Sequence, residues 1–381
     1  TLDPVEHTVF LDVGLSPNTR YYYVVTSIDN SGNESAPSAE YSVSTSPPQL
    51  PGFPIEMQDA TNCSPVIGDI DGDGDKEIVA GNRYVYAWHH DGMELRDGDL
   101  DPQTWGILNT QGNEFHGAIT LCRLDGDPGL EIVAADMYTK SVYCMNHNGD
   151  VLPGWPRVAE NGFRAAPVAG DLDGDGVFEI VAVDDKGVIY AWNADGTEYT
   201  DGDGDPLTDG VFYRTPATAF HYQTPTVVDI DSDGRDEIIL GTRSATMYAL
   251  NEDGSSVPGW PYTLPGEPAG SFAAGDVDDD GNLELVCHTR TSHVFLFNHD
   301  GTVATGWPRY IPINEPPFSP SPALADFDGD GKLEIVLVGY TSSATRLCVI
   351  KSNGQDYPGW PITFNTVVYA ECSPVVCDVD G

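Results

Sequence analysis

Residues 69–77 read DIDGDGDKE, with carboxylates at positions 1, 3, 5 and 9 of a nine-residue stretch and Gly74 at position 6. Hard oxygen donors alternating along a tight turn are the donor set of Ca2+. The glycine lets the chain double back, and the residue after it offers a backbone carbonyl. The pattern returns at residues 171–179 (DLDGDGVFE), 229–237 (DIDSDGRDE), 276–284 (DVDDDGNLE) and 326–334 (DFDGDGKLE). In the first loop the expected ligands are Asp69, Asp71, Asp73 and Glu77, with the Asp75 carbonyl. In the second they are Asp171, Asp173, Asp175 and Glu179, with Val177. Asp229, Asp231, Asp233 and Glu237 follow with Arg235, then Asp276, Asp278, Asp280 and Glu284 with Asn282. Asp326, Asp328, Asp330 and Glu334 with Lys332 complete the set, and Asp378 and Asp380 begin a further copy. The expectation is about five or six structural Ca2+ sites.

A bound metal explains this pattern better than solvated turns do, although Asp and Gly are ordinary turn formers. One like-charge pair at about 4 Å costs roughly 4 kcal/mol at an effective dielectric of about 20. Each loop gathers four such carboxylates, and the arrangement recurs five times. An EF-hand fits poorly, because it needs a bidentate Glu at position 12 between helices. Position 12 of the first loop is Ala80, inside the β-prone run Ile78-Val-Ala80. An altered copy at residues 123–131 (RLDGDPGLE) has Arg123 at position 1 and Pro128 at position 6. There the guanidinium is expected to pair with Asp125, Asp127 and Glu131, leaving the site without metal.

The elements that hold these loops repeat with them. The first loop positions fall at 69, 123, 171, 229, 276, 326 and 378. Each unit has a short apolar strand, the acidic loop, a second strand such as 179–183, and a third with alternating apolar residues such as 188–192. The third strand runs into an Asp-Gly or Asn-Gly pair (91–92, 148–149, 195–196, 253–254, 300–301, 353–354), expected to form a type I′ turn. A fourth strand begins at Gly-Trp-Pro in four units. Four antiparallel strands per unit, repeated radially, predict an all-β fold dominated by a β-propeller. Residues 52–58 look like a fourth strand without predecessors and residues 372–377 like a first strand without successors, so the former is expected to close the last, incomplete blade. Seven blades is the most economical count and eight the alternative, with some of the ring expected to lie beyond Gly381.

The repeats resemble the FG-GAP/VCBS calcium-binding repeats of integrin α-like propellers over about residues 52–381. That resemblance implies loops on one rim, between the first and second strands of each blade. Glu stands at position 9 where integrin repeats more often carry Asp. Residues 1–46 read as strands at 7–13, 19–29 and 41–45. They resemble the C-terminal half of a fibronectin type III domain, with Tyr21 at the position that closes a tyrosine corner. Residues 47–51 (PPQLP) form a stiff linker.

Composition narrows the partners. The net charge is −43, from 60 acids against 17 Lys and Arg. Acids outside the loops still outnumber the bases, which argues against nucleic acid and anionic membranes. No apolar run is long enough to span a bilayer. The seven cysteines show no metal spacing. Most lie in apolar runs and read as buried thiols. Cys63 and Cys372 occupy the same place in two repeats, through either a disulfide or shared descent by duplication.

Blades 1 and 3 replace the Gly-Trp-Pro entry with Asp-rich insertions at residues 97–102 and 201–206. In the second, Asp201, Asp203, Asp205 and Asp209 offer an extra metal site or a long solvated hairpin. The residues before the first strands offer His116, Arg164, His221, Tyr222 and Glu371 as a ligand face, or as plain polar rim. His, Tyr and Arg there would suit lyase chemistry on acidic sugars. No nucleophile elbow, HExxH or P-loop is present. The leading expectation is a non-enzymatic, secreted or cell-surface module of a larger protein, acting in adhesion, recognition or extracellular assembly on protein or glycan. A polysaccharide lyase and a self-assembling fibre subunit are the alternatives.

Overall fold

The computed structural model describes residues 15–16, 18–28, 31–45, 52–57, 61, 63–96, 98, 100, 106–115, 117, 119–202, 204, 210–216, 223–312, 320–340, 343–365 and 373–377. The chain forms two compact units, residues 1–56 and 57–381. The division falls a few residues after the boundary expected at 52.

In the first unit Arg20–Tyr23 pairs antiparallel with Tyr41–Ser44. The Ser16 N–H donates to the Tyr21 hydroxyl at 2.8 Å. The strand expected over 19–29 stops at Tyr23. Beyond it the N–H groups of Val25 and Ser27 donate to the Ser38 and Ser35 hydroxyls instead of only to a ladder. The strand expected at 7–13 and the linker at 47–51 lie outside the described residues.

The second unit is all-β among the described residues, with six four-stranded antiparallel sheets in simple 1-2-3-4 order. Blade 1 comprises Val66–Gly68, Glu77–Gly81, Val85–Trp88 and Ile107–Asn109. Blade 2 comprises Thr120–Cys122, Glu131–Ala135, Ser141–Met145 and Arg157–Val158. Blade 3 comprises Val168–Gly170, Glu179–Val183, Val188–Trp192 and Val211–Arg214. Blade 4 comprises Thr226–Val228, Glu237–Gly241, Thr246–Leu250 and Tyr262–Thr263. Blade 5 comprises Pro268–Gly275, Glu284–Thr289, His293–Phe297 and Arg309–Tyr310. Blade 6 comprises Ala323–Ala325, Glu334–Tyr340, Thr345–Ile350 and Ile362–Phe364. First strands of successive blades lie beside one another, which makes the array a propeller.

Its core is made between blades. Five apolar clusters each draw on two consecutive blades, from Ile70 with Ile132 to Val286 with Leu337. The alternation read into the third strands is therefore absent: Val188–Trp192 is buried throughout, because both faces of the blade pack on neighbours. The Trp155 indole donates to the Ala194 carbonyl at 3.0 Å, and Trp307 to Ser352 at 2.8 Å. The Gly-Trp-Pro entry of one blade thus anchors it to the hairpin of the next.

The hairpins correct the expected turn type. Gly92, Gly149, Gly196, Gly254, Gly301 and Gly354 have φ between 74° and 82°, but the Asp or Asn before each does not have positive φ. These are type I turns closed by a left-handed glycine, not type I′. The Asp or Asn is used for its side chain, whose oxygen accepts the N–H two residues on, as in Asp91 to Met93 at 2.9 Å.

Residues 373–377 form no strand, but one contact made between the starts of successive blades recurs there. The Ser321 N–H donates to the Ser373 hydroxyl at 2.9 Å, as Ser271 donates to Ser321 at 3.0 Å. The strand expected at 52–58 is not formed among the described residues 52–57.

Candidate metal centres

Each acidic loop is built on the same bonds. The position 9 carboxylate accepts the N–H of position 2 in all six, as in Glu237 to Ile230 at 2.9 Å. Position 5 accepts from position 7, as in Asp280 from Asn282 at 2.8 Å. In the five complete loops position 1 accepts the glycine N–H at position 6, between 2.9 and 3.1 Å. That glycine has φ between 86° and 96°. A Cβ added at Gly74, Gly176, Gly234 or Gly281 would meet nothing within 4 Å, so backbone conformation and not space requires glycine. Neighbouring loops touch: Asp236 donates its N–H to the Asp171 carbonyl and accepts the Asp171 N–H, both at 2.9 Å.

These bonds leave oxygens free for a cation. Donor atoms of Asp229, Asp231 and Glu237 lie within 4.8 Å of one another, as do those of Asp171, Asp173 and Glu179, and of Asp69, Asp71 and Asp73. Glu237 is 1% exposed, and its Oε1 has no hydrogen-bond partner among the described residues. The same holds for Asp171 Oδ1 and Asp278 Oδ1. An unpartnered buried carboxylate oxygen costs free energy unless a cation meets it, so the residues fit Ca2+. Burial first, and neighbouring aspartates second, push Glu179 and Glu284 up to about 7 and Glu237 up to about 8. Burial likewise raises Glu77, Glu131 and Glu334.

Blade 2 departs from the expected pairing. The Arg123 guanidinium donates to the Pro128 carbonyl at 3.1 Å, and none of its ion pairs with Asp125, Asp127 or Glu131 is found among the described residues. Those three carboxyl groups still converge within 4.8 Å. Proline at position 6 has no N–H for an Asp at position 1, so the two substitutions belong together. Arg123→Asp with Pro128→Gly is expected to add one Ca2+ per chain by calorimetric titration, while either change alone adds none.

Two residues beside the loops escaped the sequence reading. Strand register sets position 9 opposite the residue that follows the third strand. Pairing of Ile78 with Trp88 brings His89 to Glu77, and pairing of Ile335 with Ile350 brings Lys351 to Glu334. Lys351 Nζ lies 2.9 Å from Asp328 Oδ2 and 3.9 Å from Glu334 Oε1. Its bond to Asp328 raises the ammonium pKa. An internal ammonium thus stands where blade 6 would take its metal. The other four blades carry Asn146, Asn193, Asn251 and Asn298 there, and that contrast was the signal available in the sequence. Lys351→Asn is expected to raise the calcium stoichiometry by one, and an unchanged count by titration would count against the ammonium's role.

Of the other candidate residues, Arg164 is half-buried just before the first strand of blade 3, at the end opposite the acidic loop. His116, His221, Tyr222 and Glu371 lie outside the described residues, as do Asp203, Asp205, Asp209, Asp378 and Asp380. Asp201 is described and accepts the Gly204 N–H at 2.6 Å. Cys63, Cys122, Cys144, Cys287 and Cys348 are buried free thiols. The Cys63 thiol donates to the carbonyls of Phe115 and Gly117, while Cys372 lies outside the described residues.

With loops and blades in view, the class of protein is a β-propeller. A model of the FG-GAP-like repeat matches residues 229–287, from the acidic loop of blade 4 into the second strand of blade 5. No curated protein matches the chain. The V. cholerae biofilm matrix protein Bap1 is similar in structure, with a TM-score of 0.50, 19% identity, and coverage of 80% of this chain and 53% of that one. This chain therefore spans about half the length of Bap1. The computationally designed Ika8 protein has a TM-score of 0.52 at 11% identity, over 96% of this chain and 89% of that one. Rhamnogalacturonan lyase PL11 of Bacillus licheniformis has a TM-score of 0.48 at 17% identity, over 91% and 67%.

Proposed function

We propose that this chain is a calcium-stabilised, FG-GAP-type propeller module of a secreted or cell-surface protein, following part of a fibronectin type III-like domain. Its role is adhesion, recognition or extracellular assembly, with protein or glycan as partner and no catalysis. The observation that carries the reading is the buried Glu237 Oε1, unpartnered among the described residues and converging with Asp229 and Asp231. The same donor set recurs in successive blades, so the metal acts on the ring and not on one reactive centre. Millimolar extracellular calcium suffices for sites of modest affinity. The bond between Ser16 and Tyr21 supports the fibronectin-like reading of the first unit.

The test is incubation with uronic-acid polysaccharides in calcium, followed both by surface retention and by ultraviolet absorbance of unsaturated products. Retention that chelator abolishes, with no rise in absorbance, is the expected result. A rise in absorbance would replace this reading with the lyase.

A further inference from the structure

We infer that the acidic loop of blade 1 binds a divalent metal of the zinc class, with Asp71, Glu77 and His89 as its protein ligands. This deepens the reading of the loops as cation sites and rests on it. Donor atoms of the three side chains lie within 4.8 Å of one another. Glu77 is fully buried; its Oε2 accepts the Ile70 N–H at 3.0 Å, and its Oε1 makes no well-formed hydrogen bond among the described residues, with only the His89 ring at ion-pair distance. The His89 ring stands beside that oxygen, with Nδ1 at 3.4 Å. Two donors bound at about 2.1 Å in tetrahedral geometry stand about 3.4 Å apart. The pair is therefore spaced to share one small ion.

The donor types select that ion. Ca2+ takes oxygen ligands, whereas imidazole suits zinc and its first-row neighbours. Among the six blades, only blade 1 has an imidazole at this position; four have asparagine and one has Lys351. A second imidazole, His90, places Nδ1 3.8 Å from Asp75 Oδ2 on the same loop. Three protein ligands leave a fourth position to water.

The test uses the untagged full chain, stripped with chelator and returned to excess calcium, with Co2+ as the probe. One equivalent of Co2+ retained against calcium is expected, with visible tetrahedral absorption that Zn2+ abolishes. His89→Asn, which gives blade 1 the residue of the four others, loses that equivalent and keeps the calcium-dependent melting midpoint. Hyperfine-shifted imidazole signals in the wild-type cobalt form provide a readout independent of the variant. No cobalt retained in excess calcium, or a full equivalent retained by His89→Asn, overturns the site. A cobalt equivalent lost in His89→Asn, with no calcium dependence of the midpoint, supports this site and overturns the calcium reading of the other loops.

Discussion

Removal of calcium is expected to lower the melting midpoint of the propeller by about 10 °C at neutral pH. Three loops, those of blades 3, 4 and 5, have the full oxygen set and an asparagine beside it. At free calcium near 100 times Kd each contributes about 2.7 kcal/mol, roughly 8 kcal/mol for three. An unfolding entropy of about 2.1 cal/mol/K per residue makes that about 10 °C for a unit of some 325 residues. The difference depends on pH in a definite sense. Without metal, the folded protein holds protons on Glu179 and Glu284 up to about 7 and on Glu237 up to about 8. The unfolded chain releases them near 4.3. The stability from these protons is fully present below about pH 4.3 and lost as pH rises through 7 to 8. Calcium replaces the protons, so its contribution grows over the same window. Melts with calcium and with chelator, at pH 5 and pH 8, check this. A midpoint difference that is equal at both, or larger at pH 5, would sink the account.

Glu237 separates metal binding from structure within one loop. Glu237→Ala is expected to cost about 4–6 kcal/mol in calcium. Roughly 3 of that is the lost ion, and about 1–3 is the buried Ile230 N–H left without its acceptor. Glu237→Gln keeps an acceptor for Ile230 and removes only the charge. In calcium it should fall below the wild type by about the metal contribution. In chelator it should equal or exceed the wild type, because a neutral amide needs no proton, whereas burial first and neighbouring aspartates second raise the wild-type carboxyl to about 8, so that folding near neutral pH must take one up. Denaturant melts of both variants in the two buffers give the comparison. A Glu237→Gln chain destabilised equally with and without calcium would assign the residue to packing alone.

The repeat, the strand order within a blade and the acidic loops were legible in the sequence because each is a local property. Gly74 and its counterparts need positive φ whatever surrounds them, and alternating carboxylates share a turn by spacing alone. Local pattern misleads where a residue serves a neighbour outside its own segment. The Asp of each Asp-Gly pair looked like a positive-φ residue, yet its side chain caps the N–H two residues on. Arg123 looked like a partner for nearby carboxylates, yet it reaches the Pro128 carbonyl. Val188–Trp192 read as a strand of alternating apolar residues, but it is buried throughout because its second face packs on an adjacent blade.

By itself the sequence determined that acidic loops with carboxylates spaced to meet a cation recur on four-stranded blades. Which side chain stands beside each loop was decided only by the tertiary structure. Register in the ladders Ile78–Trp88 and Ile335–Ile350 carries His89 to Glu77 and Lys351 to Glu334 across twelve and seventeen residues of chain. Ligands within a loop share a turn through local backbone geometry, whereas the charge or imidazole that completes a site arrives from the next strand.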